Sequence, residues 1–307
     1  MSEVHRPSLL GYSLILFSSV LYGTYGVWSH LMGSSFGPFY QAWVRSIAII
    51  LIMLPFMLAS KSFQKIERND WPQVGTFIAF CVFTQVPLYY AFNHAPIGTV
   101  QLIFYSVFII AAYVVGKFYL GETITRPKLA SMVIAFAGLA IVFNVSILVF
   151  SPLALFLAAL NGAASGAETT SSKKVSDKYS PALLIFWGWV FTLATHLPIS
   201  LIIHEKQVVP QLNAAWFWLL VYSAVSALAF WMSLTGFRYV DASIGSLIGL
   251  SEVLFSVLFG ALIFHQSLSW TIYLGGILII IAGMLPDLLN IIKGKHPSEP
   301  IEPLRQL

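Results

Sequence analysis

The chain has 307 residues, 58% of them hydrophobic and only 9% charged. Soluble domains carry about 25% charged residues, so a dissolved globular fold is excluded, and a mean hydropathy of +0.83 describes a polytopic membrane protein. The formal charge of +4 does not point to nucleic acid, because the basic residues are spread over short loops, and the one cysteine, Cys81, excludes a disulfide within the chain.

Ten apolar stretches near the length of a membrane crossing follow one another. The first, Leu9–Leu31, is too long for the core of a signal peptide and is read as a span. It carries Tyr22-Gly23-Thr24-Tyr25-Gly26-Val27-Trp28, in which Tyr25 and Trp28 share a face expected to line a cavity and the glycines admit a second backbone. The second, Phe39–Ser60, holds Arg45 about 10 Å below the outer surface, as a gating or structural charge. The third, Trp71–His94, opens on the polar caps Asn69 and Asp70 with Pro72 behind them, and Pro87 is expected to kink it. Tyr89 and Asn93 on this span, and Gln101 and Tyr105 on the fourth, Ile97–Leu120, form two polar-aromatic stripes toward the outer half.

The fifth span is Lys128–Val145, ending in the glycosylation triplet Asn144-Val145-Ser146. The sixth, Pro152–Ser172, carries Asn161 about 13 Å from its outer end, a Gly162-xxx-Gly166 packing pair, and Glu168. Glu168 is expected either to gate or to pair with Lys173 and Lys174. The seventh, Pro181–His204, starts at a Ser180 cap and contains Pro198, a second expected kink; the eighth, Ala214–Tyr239, contains Trp231 as a further site candidate. In the ninth, Ala242–His265, Glu252 lies about ten residues from the nearer end, which at about 1.5 Å per residue is near the bilayer midplane. An acid there must face protein, water or a partner, so Glu252 is the leading candidate for substrate binding or coupling. Gly245 and Gly249 on the same span suggest close helix packing. The tenth is Trp270–Asn290, and the residues from Lys293 read as a disordered cytoplasmic tail.

An even number of spans puts both termini on one side. With the N-terminus inside, 14 of the 16 Lys and Arg residues fall at cytoplasmic ends and loops; Lys206 alone lies outside and Arg45 lies within a span. The second half also echoes the first. Ile97-Gly98 matches Ile244-Gly245, Ser106 falls near Ser251-Glu252, Leu120-Gly121-Glu122-Thr123-Ile124 matches Phe264-His265-Gln266-Ser267-Leu268, and Ala137-Gly138-Leu139 matches Ala282-Gly283-Met284. Two copies of five spans, 1–148 and 149–292 with the tail 293–307 beyond, must insert with opposite orientation, an inverted repeat with its site between the halves.

These residues resemble the EamA-type carriers of the drug/metabolite transporter superfamily over about residues 9 to 290. The resemblance rests on Gly121-Glu122 followed by Ala137-Gly138, the degenerate His265-Gln266 followed by Ala282-Gly283, Pro38 to Arg45 at the start of the second span, and Glu252, where Val253 replaces the family's proline. It implies an all-α membrane fold of ten helices and a secondary transporter, exporter or exchanger, of a small organic metabolite such as an amino acid or amphiphilic compound. Depth makes Glu252 a candidate for proton coupling. The alternative is a non-transport membrane protein, an intramembrane enzyme or lipid-handling protein; no histidine lies at the level of Glu252 to serve an enzyme. No metal spacing or nucleotide loop is present, so no cofactor and no catalytic residue is assigned. The expected partners are a small-molecule substrate and the lipid bilayer, without nucleic acid, in the inner (plasma) membrane of a bacterium or archaeon; a monomer is compatible with the sequence.

Overall fold

The computed structural model describes residues 9–33, 35–60, 62–95, 97–143, 151–176, 178–265 and 269–292, with backbone alone at 89, 92, 93, 97, 98, 287, 290 and 291. The triplet at Asn144 and the tail from Lys293 lie outside the described residues. Among the described residues there is no strand, and helices occupy the ten expected places. They are Leu9–Gly23 with Tyr25–Met32, Pro38–Ala59, Trp71–Phe83 with Pro87–His94, Ile97–Tyr119, Arg126–Phe143, Pro152–Ser176, Pro181–Ile202, Ala214–Phe237, Ala242–Gly249 with Ser251–Phe264, and Trp270–Ile292. Among the described residues, seven are long and apolar enough to cross a membrane on those grounds alone. The third span falls short because it is divided. The sixth falls short because its inner half is polar, and that half is buried against neighbours through Glu168, Thr170, Ser171 and Ser172.

The first, third and ninth spans are interrupted, each for a local reason. Pro87 has no N–H and cannot continue the ladder of the third span. The carbonyls this frees are taken up by side chains: Thr84 Oγ1 and Gln85 Nε2 donate to the Cys81 carbonyl at 2.9 and 3.4 Å, and Asn161 Nδ2 of the sixth span donates to the Thr84 carbonyl at 3.0 Å. The ninth span breaks at Leu250 without a proline. The Leu250 amide is shared between the Ser246 and Leu247 carbonyls, both at 3.3 Å, and the Val253 amide closes a tight turn on the Leu250 carbonyl at 3.0 Å. In the first span Thr24 turns its hydroxyl back to the Leu21 carbonyl at 2.6 Å. Pro198, expected to mark a kink, lies inside a helix assigned without interruption from Pro181 to Ile202.

The cap expectations divide. Ser180 accepts the Leu183 amide at 3.2 Å, whereas Asp70 makes no cap; its carboxylate is held by the Tyr179 hydroxyl at 2.5 Å and Lys178 Nζ at 2.7 Å. At the opposite end of the molecule the Glu205 carboxylate takes the amides of Phe39 and Tyr40 at 3.2 and 2.5 Å, fixing where the second helix starts.

Packing follows the repeat. The fourth span lies against the sixth and the ninth against the first; the third lies against the sixth and the eighth against the first; the third meets the seventh and the eighth meets the second. Under exchange of the two halves each of these contacts becomes the other. The second-with-seventh and fifth-with-tenth contacts map onto themselves. Glycines seat the closest crossings: a Cβ on Gly162 or Gly166 would stand 2.3 or 2.4 Å from the carbonyls of Phe104 and Phe108, and one on Gly138 would stand 2.8 Å from that of Gly275.

Candidate functional site

The interior of the ninth span is the starting point, because its one acid has to be accommodated there. Glu252 Oε1 accepts a hydrogen bond of 3.0 Å from the Tyr105 hydroxyl of the fourth span. Tyr105 is buried, while Glu252 keeps partial accessibility although protein surrounds it. There is room on its face of the helix: a Cβ added at Gly249, one turn earlier, would meet nothing within 4 Å. That corrects the packing expectation for Gly245 and Gly249. Gly245 is filled by the ring of Phe237 at 2.6 Å, and Gly249 borders open space.

The first span supplies the opposing wall. Gly23 brings it onto the ninth span, where an added Cβ would stand 2.6 Å from that of Phe255; Gly26 has nothing within 4 Å and is not a packing glycine. Tyr22 faces this seam. It lies within electrostatic range of Glu168 and of Glu252 and bonds Ser233 of the eighth span. Its ring meets Tyr25 edge-on at 5.2 Å. Tyr25 and Trp28, expected on one face, do share one. Tyr25 meets Tyr222 edge-on at 4.7 Å, Trp28 stacks on Trp218 at 5.6 Å, and the Trp28 indole N–H donates to Thr24 Oγ1 at 2.7 Å. Tyr22 was missed from sequence although it opens the aromatic run, because the helical spacing of Tyr25 and Trp28 drew the face one residue away.

Glu168 is buried and does not pair with the lysines that follow it. Its carboxyl group meets Cys81 and Thr84 of the third span. Lys173 is drawn instead to Glu122, and Lys174 lies 4.2 Å from the centre of the Tyr119 ring. Asn161 is buried at the break in the third span, with Ser165 donating to its oxygen at 3.4 Å.

Arg45 is buried within protein rather than reaching for headgroups. Its guanidinium carbon sits 3.8 Å from the centre of the Tyr222 ring and 5.6 Å from that of Trp189, and Nη2 donates to Ser226 Oγ at 2.7 Å. Since Tyr222 also carries Tyr25, Arg45 backs the aromatic wall. Gln101 is half-buried one turn from Tyr105. Trp231 packs against a different cluster, formed by Ile49, Phe77, Leu183 and Trp189. The side chains of Tyr89 and Asn93 lie outside the described residues. Among the described residues no group of three His, Cys, Asp or Glu could hold a metal ion.

A second polar group closes the end opposite Glu205. Glu122, buried in the turn after the fourth span, accepts the amides of Ala242 and Ser243 at 2.8 and 3.4 Å and pairs with Lys173 Nζ at 2.9 Å. It thereby caps the ninth span and ties it to the sixth. Lys128 pairs with Asp241 at 2.8 Å and donates to the Thr123 carbonyl at 3.1 Å. From sequence Lys128 reads only as a topology signal, Lys173 as a topology signal or a partner for Glu168, and Glu122 only as part of a motif.

Two mirrored five-span halves, with ionisable and aromatic side chains from both gathered at their seam, define a membrane transporter of the drug/metabolite class. The EamA-like transporter family model matches residues 9–144 and 152–285, one copy on each half, and the chain belongs to that family. No curated protein matches. A solved structure titled only "Crystal structure of protein" is similar in fold, with a TM-score of 0.76 at 18% identity over 92% of this chain and 98% of its own.

Proposed function

We propose that the chain is a secondary active transporter that exports or exchanges a small organic metabolite, an amino acid or an amphiphilic compound, by rocking of its halves, 1–148 and 149–292, about the seam. It works in the inner (plasma) membrane of a bacterium or archaeon with both termini cytoplasmic, the orientation favoured by the placement of Lys and Arg. One observation carries the reading: Glu252, deep in the ninth span, is hydrogen-bonded to Tyr105 of the other half beside open space at Gly249. A carboxylate at that depth is costly while it is charged and uncompensated. Whatever neutralises it, a proton or a substrate, is therefore held at the surface along which the halves must move. Glu252 couples transport to protons on this reading.

The test is exchange or efflux in proteoliposomes with and without an imposed pH gradient. Wild type should respond to the gradient, and Glu252→Gln, unable to release a proton, should transport without responding or not at all. A gradient response in the Gln variant equal to that of wild type removes Glu252 from coupling.

A further inference from the structure

The loop joining the second and third spans has a mirrored partner, the loop joining the seventh and eighth. Each begins with the same contact: the Ser62 amide donates to the Met57 carbonyl at 3.0 Å, and the Glu205 amide donates to the Ser200 carbonyl at 2.9 Å. Nine residues later in each, the next helix starts, at Trp71 and at Ala214. In that register Lys65 matches Val208, and Arg68 matches Gln211. Each loop borders a surface depression. The one beside Val208 carries no charged side chain and is walled by Trp43, Val209 and Leu220 among others. The one beside Lys65, about 630 Å³, is walled by Lys65, Arg68, Asn69 and Trp71. The same frame thus places two cations on one loop and neither on its mirror image.

The charged loop is held firmly. Ile66 is buried in the core cluster that contains Met57 and Phe77. Gln64 Nε2 donates to the Lys178 carbonyl at 2.7 Å, and the Glu67 amide donates to the Tyr179 hydroxyl at 2.9 Å. Glu67 also borders the depression, but its acid is already engaged: Lys178 Nζ lies 2.7 Å from the carboxylates of both Glu67 and Asp70. Arg238 adds a second cation to that turn, donating to the Tyr179 carbonyl at 2.7 Å. Among the described ion pairs neither Lys65 nor Arg68 takes part, and both side chains are exposed.

A row of rings runs beside the depression. Phe63 meets Phe186 at 5.7 Å, Phe186 meets Trp187 at 5.7 Å, and Trp187 meets Trp71 at 6.3 Å. The row continues along the seventh span to Phe191, 6.2 Å from Trp187. Phe63, Trp71 and Phe191 are exposed. Exposed tryptophans at helix ends mark the level of the lipid headgroups, and Lys or Arg at that level attracts lipid phosphate.

We propose that this loop is a binding site for an anionic phospholipid, its phosphate held by Lys65 and Arg68 over the depression and its acyl chains laid along Phe186, Trp187 and Phe191. A zwitterionic lipid brings an ammonium that the same two cations repel. A headgroup without chains forfeits the apolar track. The bound lipid joins the loop of the first half to a span of the second. Its assignment to the cytoplasmic leaflet rests on the orientation proposed above, whereas the binding itself does not.

The experiment titrates the purified full-length chain in detergent micelles with phosphatidylglycerol and phosphatidylcholine of identical chains, read by native mass spectrometry, with glycerol 1-phosphate as the headgroup alone. Phosphatidylglycerol should bind at least about tenfold more tightly than either of the others, at about fivefold per cation. Lys65→Gln and Arg68→Gln should each lower that preference, and together should abolish it. Lys117→Gln with Lys174→Gln removes the same charge from the same end of the bundle and should keep it. Equal binding of the two lipids, equal binding of the free headgroup, or an equal loss in the Lys117 and Lys174 variant overturns the site. If the double variant at Lys65 and Arg68 does not fold, the two single variants and the wild-type lipid series still decide. Labelling of a Ser60→Cys thiol in intact cells tests the leaflet separately, since Cys81 is buried. A thiol reached only from the cytoplasm supports the inner leaflet; one reached from outside overturns the leaflet and the orientation together, whatever the lipid series shows.

Discussion

Tyr105 and Glu252 hold equivalent places in the two copies and are hydrogen-bonded to each other at 3.0 Å. A residue that meets its own counterpart lies where the two halves face each other, so this bond crosses the seam. Hydrogen bonds to a charged group contribute about 1.5–3 kcal/mol. Tyr105→Phe keeps the ring and removes only the donor, and should lower stability by about 1–2 kcal/mol. Thermal melts of Tyr105→Phe, Glu252→Gln and the double variant should show coupling between the two sites. Strict additivity would mean that the bond is not made.

The glycine crossings give a contrast within one experiment. Gly166→Ala places a methyl 2.4 Å from the Phe108 carbonyl and must push the sixth span off the fourth, at an expected cost of about 1–3 kcal/mol. Gly75→Ala, in the third span with nothing within 4 Å, should be neutral or stabilising by up to about 1 kcal/mol. Melting temperatures of the two variants should move in opposite directions or differ by several degrees. Equal effects would contradict the assigned crossing.

Glu122→Gln leaves the shape of the side chain and removes the charge that Lys173 meets at 2.9 Å. Breaking one partner of a buried pair costs about 3–5 kcal/mol. The lower end is expected here because the Lys173 side chain keeps 17% exposure. Lys173→Met added to Glu122→Gln should recover part of the loss, since the stranded ammonium is then gone. Denaturation of the single and double variants in detergent measures both, and a double variant weaker than the single would refute the pairing.

Asp70 supplies a pH test away from the membrane. Its hydrogen bonds with Lys178 and then Tyr179 hold its carboxyl below the ordinary range. A carboxyl lowered on folding adds stability that is complete above its unfolded value, about 3.9, and is lost as pH falls through the folded value. The contribution is small because the group is near the surface. The melting temperature of wild type should exceed that of Asp70→Asn at pH 7, and the gap should close below about pH 4. A gap that stays constant would show that the pair does not act through charge.

The fold was legible because its causes are repeated along the chain. Length of apolar run sets the helices, loop lysines set the orientation, and matched Gly and Ile positions reveal the duplication. Glu252 stood out for the same reason, as a lone acid in an apolar run. What escaped was set by contacts between distant segments. Nothing local in Asn161 says that it will cap a carbonyl freed by Pro87 in another span. Glu168 precedes two lysines, yet Cys81 and Thr84 claim it, because the third span packs on the sixth. Tyr22 was hidden by its neighbours: an aromatic run offers several helical faces, and only the crossing at Gly23 decides which one meets the acids.

The Glu122 cap has a consequence for the polarity of the whole molecule. By the register of the repeat its counterpart is Gln266, which carries no charge. A buried pair is only weakly screened by dissolved salt. A body built from mirrored halves therefore acquires a distinct top and bottom: on the Glu122 side a charge shielded from electrolyte joins the fourth, sixth and ninth spans, and the matching sequence position carries an amide instead.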